Sequence, residues 1–205
     1  MKMVILIISL LLPLCAAEKA SAAQPRPFTG SGLLIVRNMN PASSARPPSL
    51  TLYRETGVGR IGEFPVTRMP LLSSFVKLSP CEFPLAVMGK RGGWLLVAYD
   101  DAGREGWVKM ARWWIYEKWE AFLTGRAVTL IPGLIKEWAG LREGPSESLP
   151  QTAWISPGET LKVIEVRENW LLVVTTTGVY GWLSWRDGDD RFIISIGERI
   201  DQQKH

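Results

Sequence analysis

Apolar and polar residues alternate along most of the chain in short runs, broken repeatedly by Gly, Pro, Asn or Asp. Such runs read as β-strands joined by tight turns. Residues 94–99 (WLLVAY) and 170–175 (WLLVVT) are rich in β-formers. Residues 161–166 alternate only in part, as a half-buried curved strand does. Gly92-Gly93 and Glu168-Asn169 are turn dipeptides ahead of the two Trp runs, and residues 100–103 and 176–178 close the next hairpins. The strands that follow begin at Gly106-Trp107 and Gly181-Trp182. Residues 33–36, 126–131 and 191–196 are further strand candidates, the last two of a type to pair. One stretch breaks the pattern. Residues 112–123 lack Gly and Pro, and Ile115, Trp119, Phe122 and Leu123 fall at helical spacing, which predicts a short helix ended by Gly125.

The strands form a repeat. Ser79-Pro80-Cys81-Glu82 is followed by Leu85-x-Val87, Arg91 and Trp94-Leu95-Leu96-Val97. Ser156-Pro157-Gly158-Glu159 is followed by Leu161-x-Val163, Arg167 and Trp170-Leu171-Leu172-Val173. Upstream, Tyr53-Arg54-Glu55 parallels Leu141-Arg142-Glu143. The first copy is longer between these landmarks, so it carries an insertion, placed in residues 57–75 and expected to lie in a surface loop. The organisation expected is a leader over 1–23, a Pro/Ser-rich linker with one strand over 24–49, a first barrel with an insertion over 50–112, a Trp-rich connector over 113–136 and a second barrel over 137–200.

The leader changes the setting. Lys2 precedes an apolar run over residues 4–14, and Ser21-Ala22-Ala23 follows, the pattern of a secretory signal. The apolar run is short of the ~20 residues that span a bilayer. The expected location is therefore the periplasm or cell envelope. Any membrane attachment would come through an uncleaved signal or a lipidated Cys15, although Leu14 is not the small residue that lipid attachment favours. Removal of Cys15 leaves Cys81 without a disulfide partner, a small buried hydrophobe by its ordinary reading.

Composition narrows the chemistry. The chain has 205 residues, 46% hydrophobic, with a formal net charge of +4 and no basic run to track a phosphate backbone, so nucleic acid is not an expected partner. The only His is the terminal His205, which leaves no imidazole for acid–base work or for activating a thiol. Asp100-Asp101 and Asp187-Gly188-Asp189-Asp190 sit in predicted turns, and the latter fall short of the 6–8 oxygen ligands of calcium. No catalytic residue, metal ligand or cofactor site is read from the chain.

The repeat resembles the bacterial SH3-like domain family. Leu141-Arg142-Glu143-Gly144-Pro145, Pro157-Gly158-Glu159, Trp170-x-x-Val173 and Gly178-x-x-Gly181-Trp182-Leu183 carry the likeness in the second copy. Trp94-x-x-Val97 and Gly103-x-x-Gly106-Trp107-Val108 carry it in the first. The resemblance implies an all-β protein of two tandem SH3-like barrels. It implies a noncatalytic binding or targeting module that recognises cell-wall peptide or glycan. Candidate ligand-binding residues are Trp94, Trp170, Tyr53, Tyr99, Trp113 and Trp114. Trp94 and Trp170 lie on the strand face opposite Leu95/Val97 and Leu171/Val173, where their rings either stack on a ligand or pack against a loop. Trp113, Trp114, Trp119 and Trp185 either glue the barrels together or form a docking patch for a periplasmic protein, the alternative partner.

Overall fold

The apolar runs fold as strands and the turn dipeptides as the hairpins between them. The computed structural model describes residues 26–38 and 47–200. The expected leader with Cys15, part of the 24–49 linker and His205 lie outside the described residues. One sheet contains β1 (Gly32–Arg37), β2 (Ser49–Glu55), β3 (Val58–Pro65), β4 (Glu82–Arg91), β5 (Trp94–Ala98), β6 (Glu105–Lys109) and β7 (Ile115–Lys118). A five-residue helix, α1 (Trp119–Leu123), leads to the other. That sheet contains β8 (Arg126–Leu130), β9 (Gly140–Arg142), β10 (Gln151–Trp154), β11 (Leu161–Arg167), β12 (Trp170–Val174), β13 (Tyr180–Ser184) and β14 (Ile194–Arg199). The strands are antiparallel throughout, in the orders β3-β2-β6-β5-β4-β1-β7 and β10-β9-β13-β12-β11-β8-β14. Adding seven to each strand number turns one order into the other, so the two sheets share a single topology.

Several expectations are corrected by this arrangement. β1 and β7 belong to the first sheet although they fall in the stretches read as linker and connector, and β8 likewise belongs to the second. The predicted helix over 112–123 shrinks to α1. Its first half is β7, which pairs with β1 from Gly32–Lys118 to Ile35–Ile115. The exposed edge of β1 needs partners for its backbone groups, and that need overrides helical spacing. Cys81 is exposed in the turn before β4, not buried. The repeat also shifts by one residue upstream: Tyr53 pairs with Trp107 and Arg142 with Trp182, so Leu52 corresponds to Leu141. Both leucines are buried against the glycine of the Gly-Trp pair. A Cβ on Gly106 would come within 3.1 Å of the Leu52 Cβ, and one on Gly181 within 2.7 Å of the Leu141 Cβ. Close backbone approach is the physical reason for the glycine in that motif.

The insertion is not a surface loop. Part of it lengthens the β2–β3 hairpin, and the following residues run across the back of the first sheet. Val66, Met69, Leu72 and Val76 are buried, and Leu72 N–H donates to the Pro84 carbonyl at 2.9 Å. Val76 makes a parallel bridge to Ile196 of β14. Lys77 N–H donates to the Ile196 carbonyl, and Ile196 N–H donates to the Phe75 carbonyl. The longer copy thus uses its extra length to hold the second sheet.

Two cores result. Leu34, Val36, Leu85, Val87, Leu95 and Val97 fill the first barrel. Leu33, Ile35 and Ala86, on the other face of the same strands, join Leu72, Val76, Phe122 and the whole interior of the second unit. The junction is aromatic. Trp119 lies 5.6 Å from Trp185 and 5.3 Å from Phe192, and Phe75 stacks on Phe192 at 5.9 Å. Both buried indoles are satisfied: Trp119 donates to the Thr29 carbonyl and Trp185 to that of Glu168, each at 2.8 Å. Because the core crosses between the units, they are expected to unfold in one transition. Phe192→Ala is expected to cost about 3–5 kcal/mol. Guanidinium denaturation followed by circular dichroism and Trp fluorescence checks both, and two separate transitions in the unaltered protein contradict a shared core.

Candidate functional site

The turn residues of the second unit build a groove. Arg142 ends β9 and donates to the Leu149 carbonyl at 2.8 Å, folding the 144–149 loop back over the strand. Ser146 and Ser148 hydroxyls hydrogen-bond within that loop. On the other side, Glu168-Asn169 turns the chain into β12 with Glu168 at φ +50°, the left-handed turn that Gly92 makes at +56° in the first unit. Asn169 Oδ1 accepts from Arg186 Nε at 2.7 Å, and the Asn169 carbonyl accepts from the Trp185 backbone N–H. The loop and the 184–188 segment therefore stand on either side of Trp170. Two adjoining recesses, of about 200 and 280 Å³, share Trp138, Glu147, Trp170 and Ser184. Trp138 comes from a short 3-10 turn, Lys136–Ala139, and Trp170 from the start of β12. Two half-buried indoles thus line a slot bordered by Glu137, Glu147, Ser146 and Arg142. Flat rings beside hydrogen-bonding groups suit a sugar ring or the side chains of a short peptide.

The first unit presents a different surface at the corresponding place. Tyr53 meets Trp94 edge-to-face at 5.5 Å, and Gly57 of the β2–β3 turn lies beneath the Trp94 ring. These two candidate residues come together. Tyr99 does not join them. It follows Leu95 and Val97 on the core side of β5 and packs on Phe64 at 5.1 Å. Trp113 is 48% exposed beside β7, while Trp114 is half-buried against the first core with its Nε1 buried and without a hydrogen-bond partner. Trp119 and Trp185 are buried in the junction, which removes them from any docking patch and makes them the glue. Trp138, Glu147 and Ser184 were not among the residues singled out from the sequence. Trp138 has no counterpart in the first copy's motifs, so the repeat gave no signal for it.

A larger cleft of about 680 Å³ opens between the units, with Phe28, Met88, Tyr116 and Glu120 among its walls. The turn below it is tied down by Asp187. Its Oδ1 accepts from the backbone N–H groups of Asp189 and Arg191, both at 3.0 Å, and its Oδ2 pairs with Arg26 at 2.7 Å. The predicted turn carboxylate is thus an anchor for the segment before β1. No group of three His, Cys, Asp or Glu side chains able to hold a metal occurs among the described residues. No helix among them is long and apolar enough to cross a membrane.

Burial works against the Asp187 anion, but the N–H groups of Arg191 and Asp189 and the Arg26 guanidinium outweigh it and hold its carboxyl below the ordinary value. A depressed native value stabilises the fold above the unfolded value of about 3.9, and that contribution is lost as pH falls through the native value. The unaltered protein should therefore melt above Asp187→Asn at neutral pH, and the gap should close on acidification. Thermal unfolding across pH 7 to 2 checks this; a gap that persists at pH 2 contradicts it.

Comparison with known families bears on the second unit. Residues 139–189 match the family described as Bacterial SH3 domain, so a bacterial SH3 domain is present over that stretch. The match runs through β9 to β13 and contains Arg142, Glu147, Trp170 and Ser184. It does not extend to residues 50–112, which carried the other half of the resemblance. No curated protein matches the chain.

Proposed function

We propose that the protein is a noncatalytic binding module of the bacterial cell envelope that takes up cell-wall peptide or glycan in the groove of its second unit. The observation that carries this reading is the pair Trp138 and Trp170 lining adjoining recesses within and beside a bacterial SH3 domain. Binding draws on the indole faces for stacking and on Glu147, Ser146 and Arg142 at the rim for hydrogen bonds. None of the residues lining the two recesses is a His or Cys. The segment over 1–23, read as an export signal, would deliver the module to the envelope, where the wall is within reach. The first sheet shares the strand order of the matched unit, which supports reading it as a second, diverged copy of the same domain.

Sedimentation with purified wall sacculi tests the reading. The protein should co-sediment, and Trp170→Ala or Trp138→Ala should weaken binding about tenfold or more, because buried aromatic anchors carry most of the affinity of such sites. Circular dichroism shows whether each variant is folded. Unchanged binding by both folded variants removes the groove from the mechanism. Co-purification of a single envelope protein, abolished by Trp113→Ala, would favour the docking alternative instead.

A further inference from the structure

The outer face of the first sheet differs from its counterpart in the second at three matched positions. Strand pairing puts Tyr53, Trp107, Lys109, Leu96, Trp94 and Arg91 on one face, through Tyr53–Trp107, Leu96–Trp107, Trp94–Lys109 and Arg91–Trp94. The side chains beneath, Leu52, Leu95, Val97 and Val108, are buried. The corresponding face of the second sheet carries Arg142, Trp182, Ser184, Leu172, Trp170 and Arg167. An Arg over a Trp is common to both. Arg91 stands 5.5 Å from the Trp107 ring centre, and Arg167 stands 5.1 Å from that of Trp182. Only the second Arg is neutralised, by an ion pair with Glu165, which is paired with Leu172 across the sheet. Gly89 holds the equivalent position in the first sheet, paired with Leu96, and Arg91 has no carboxylate partner among the described residues. Lys109 replaces Ser184 and likewise makes no ion pair among the described residues. Tyr53 replaces Arg142, adding a ring beside Trp94. The carboxylates on this face are Glu55 and Glu105 toward its ends and Glu63, which is ion-paired with Arg60 on the outlying β3.

We propose that this face binds an acidic polysaccharide. Two unpaired cations flank Trp94 and half-exposed Trp107 on an open sheet, so an anionic group finds charge-assisted contacts where a sugar ring finds an aromatic surface. The charge balance of the units agrees. Basic residues outnumber acidic ones in the described residues 26–118, and the reverse holds over 119–200. A polyanion is therefore drawn to the first unit and repelled from the second. A peptide strand would pair at a sheet edge, and nothing on this face offers backbone groups to it. Nucleic acid has the same charge, but the expected export places saccharides within reach instead. This site is separate from the groove at Trp138 and Trp170 and stands or falls without it.

Affinity electrophoresis through gels containing alginate tests the proposal, with dextran as the neutral control. Alginate should retard the protein at low salt and dextran should not, and about 0.5 M salt should abolish the effect. The double variant Arg91→Gln/Lys109→Gln should lose about tenfold in affinity, while Arg68→Gln, which removes a cation outside this face, should keep it. Equal losses in both variants would reduce the effect to net charge and overturn the proposal. Retention by anionic phosphatidylglycerol vesicles or single-stranded DNA without retention by alginate would overturn it too, giving the face to a membrane or a nucleic acid.

Discussion

The structure depends on one strand having no solvent side. β1 presents Leu34 and Val36 to the first barrel and Leu33 and Ile35 to the core it shares with the second unit, and all four are at most 4% exposed. A strand buried on both faces must be apolar at every position, which the run Leu33-Leu34-Ile35-Val36 satisfies. It also needs a second layer, and the chain supplies it from far away in sequence. Leu72, Val76, α1 and Phe192 all join the core on the face of β1 that a free-standing barrel would leave wet. The two units are consequently held at a fixed angle by apolar packing and by the parallel bridge at Val76 and Ile196, not by a tether.

Fixing the units fixes the relation between their surfaces. The shared topology gives each sheet the same hairpin turn, the same strand-leading Trp and the same Arg laid over the following Trp. The two surfaces can then differ at positions outside both cores. Glu165 and Gly89, Ser184 and Lys109, Arg142 and Tyr53 occupy equivalent places on the solvent face, so exchanging them alters charge and shape without touching either core. The glycines of the Gly-Trp pairs show the opposite behaviour. Each has a leucine Cβ within 3.1 Å of where its own would stand, and both copies keep the glycine.

Much of the fold was legible because its signals are local. The Trp-led strands, their turn dipeptides and the strand character of β8 and of the start of β14 all follow from composition and alternation over a few residues. Two of the failures share a cause, which is that the deciding contact is remote. Residues 115–118 carry a helical pattern, yet β1, some eighty residues earlier, offers them an open edge. The insertion looks like a loop until Leu72 and Val76 are seen under Phe192 and Ile196. The site was legible in the same measure. Trp170 was visible through the repeat, whereas Trp138 lies outside the repeated motifs and reaches the groove only through the 3-10 turn before β9. Tyr99 was misplaced because its ring continues the inward row of Leu95 and Val97.

Seven of the ten tryptophans separate by what their indole N–H groups and rings are asked to do. Trp119 and Trp185 are buried, and each donates to a backbone carbonyl, so both the ring and its polar atom are satisfied within the fold. Trp182 is buried beneath Arg167. Trp94, Trp107, Trp138 and Trp170 are half-buried and lie on the solvent side of their sheets or turns. Burial to that depth holds part of each ring against its own sheet or turn. A ring with one face held and the other open is what stacking on a ligand requires, since the held face removes the rotamer freedom that binding would otherwise have to quench. The junction that spends Trp119 and Trp185 on rigidity is thus what leaves these four rings at fixed positions on two separate surfaces.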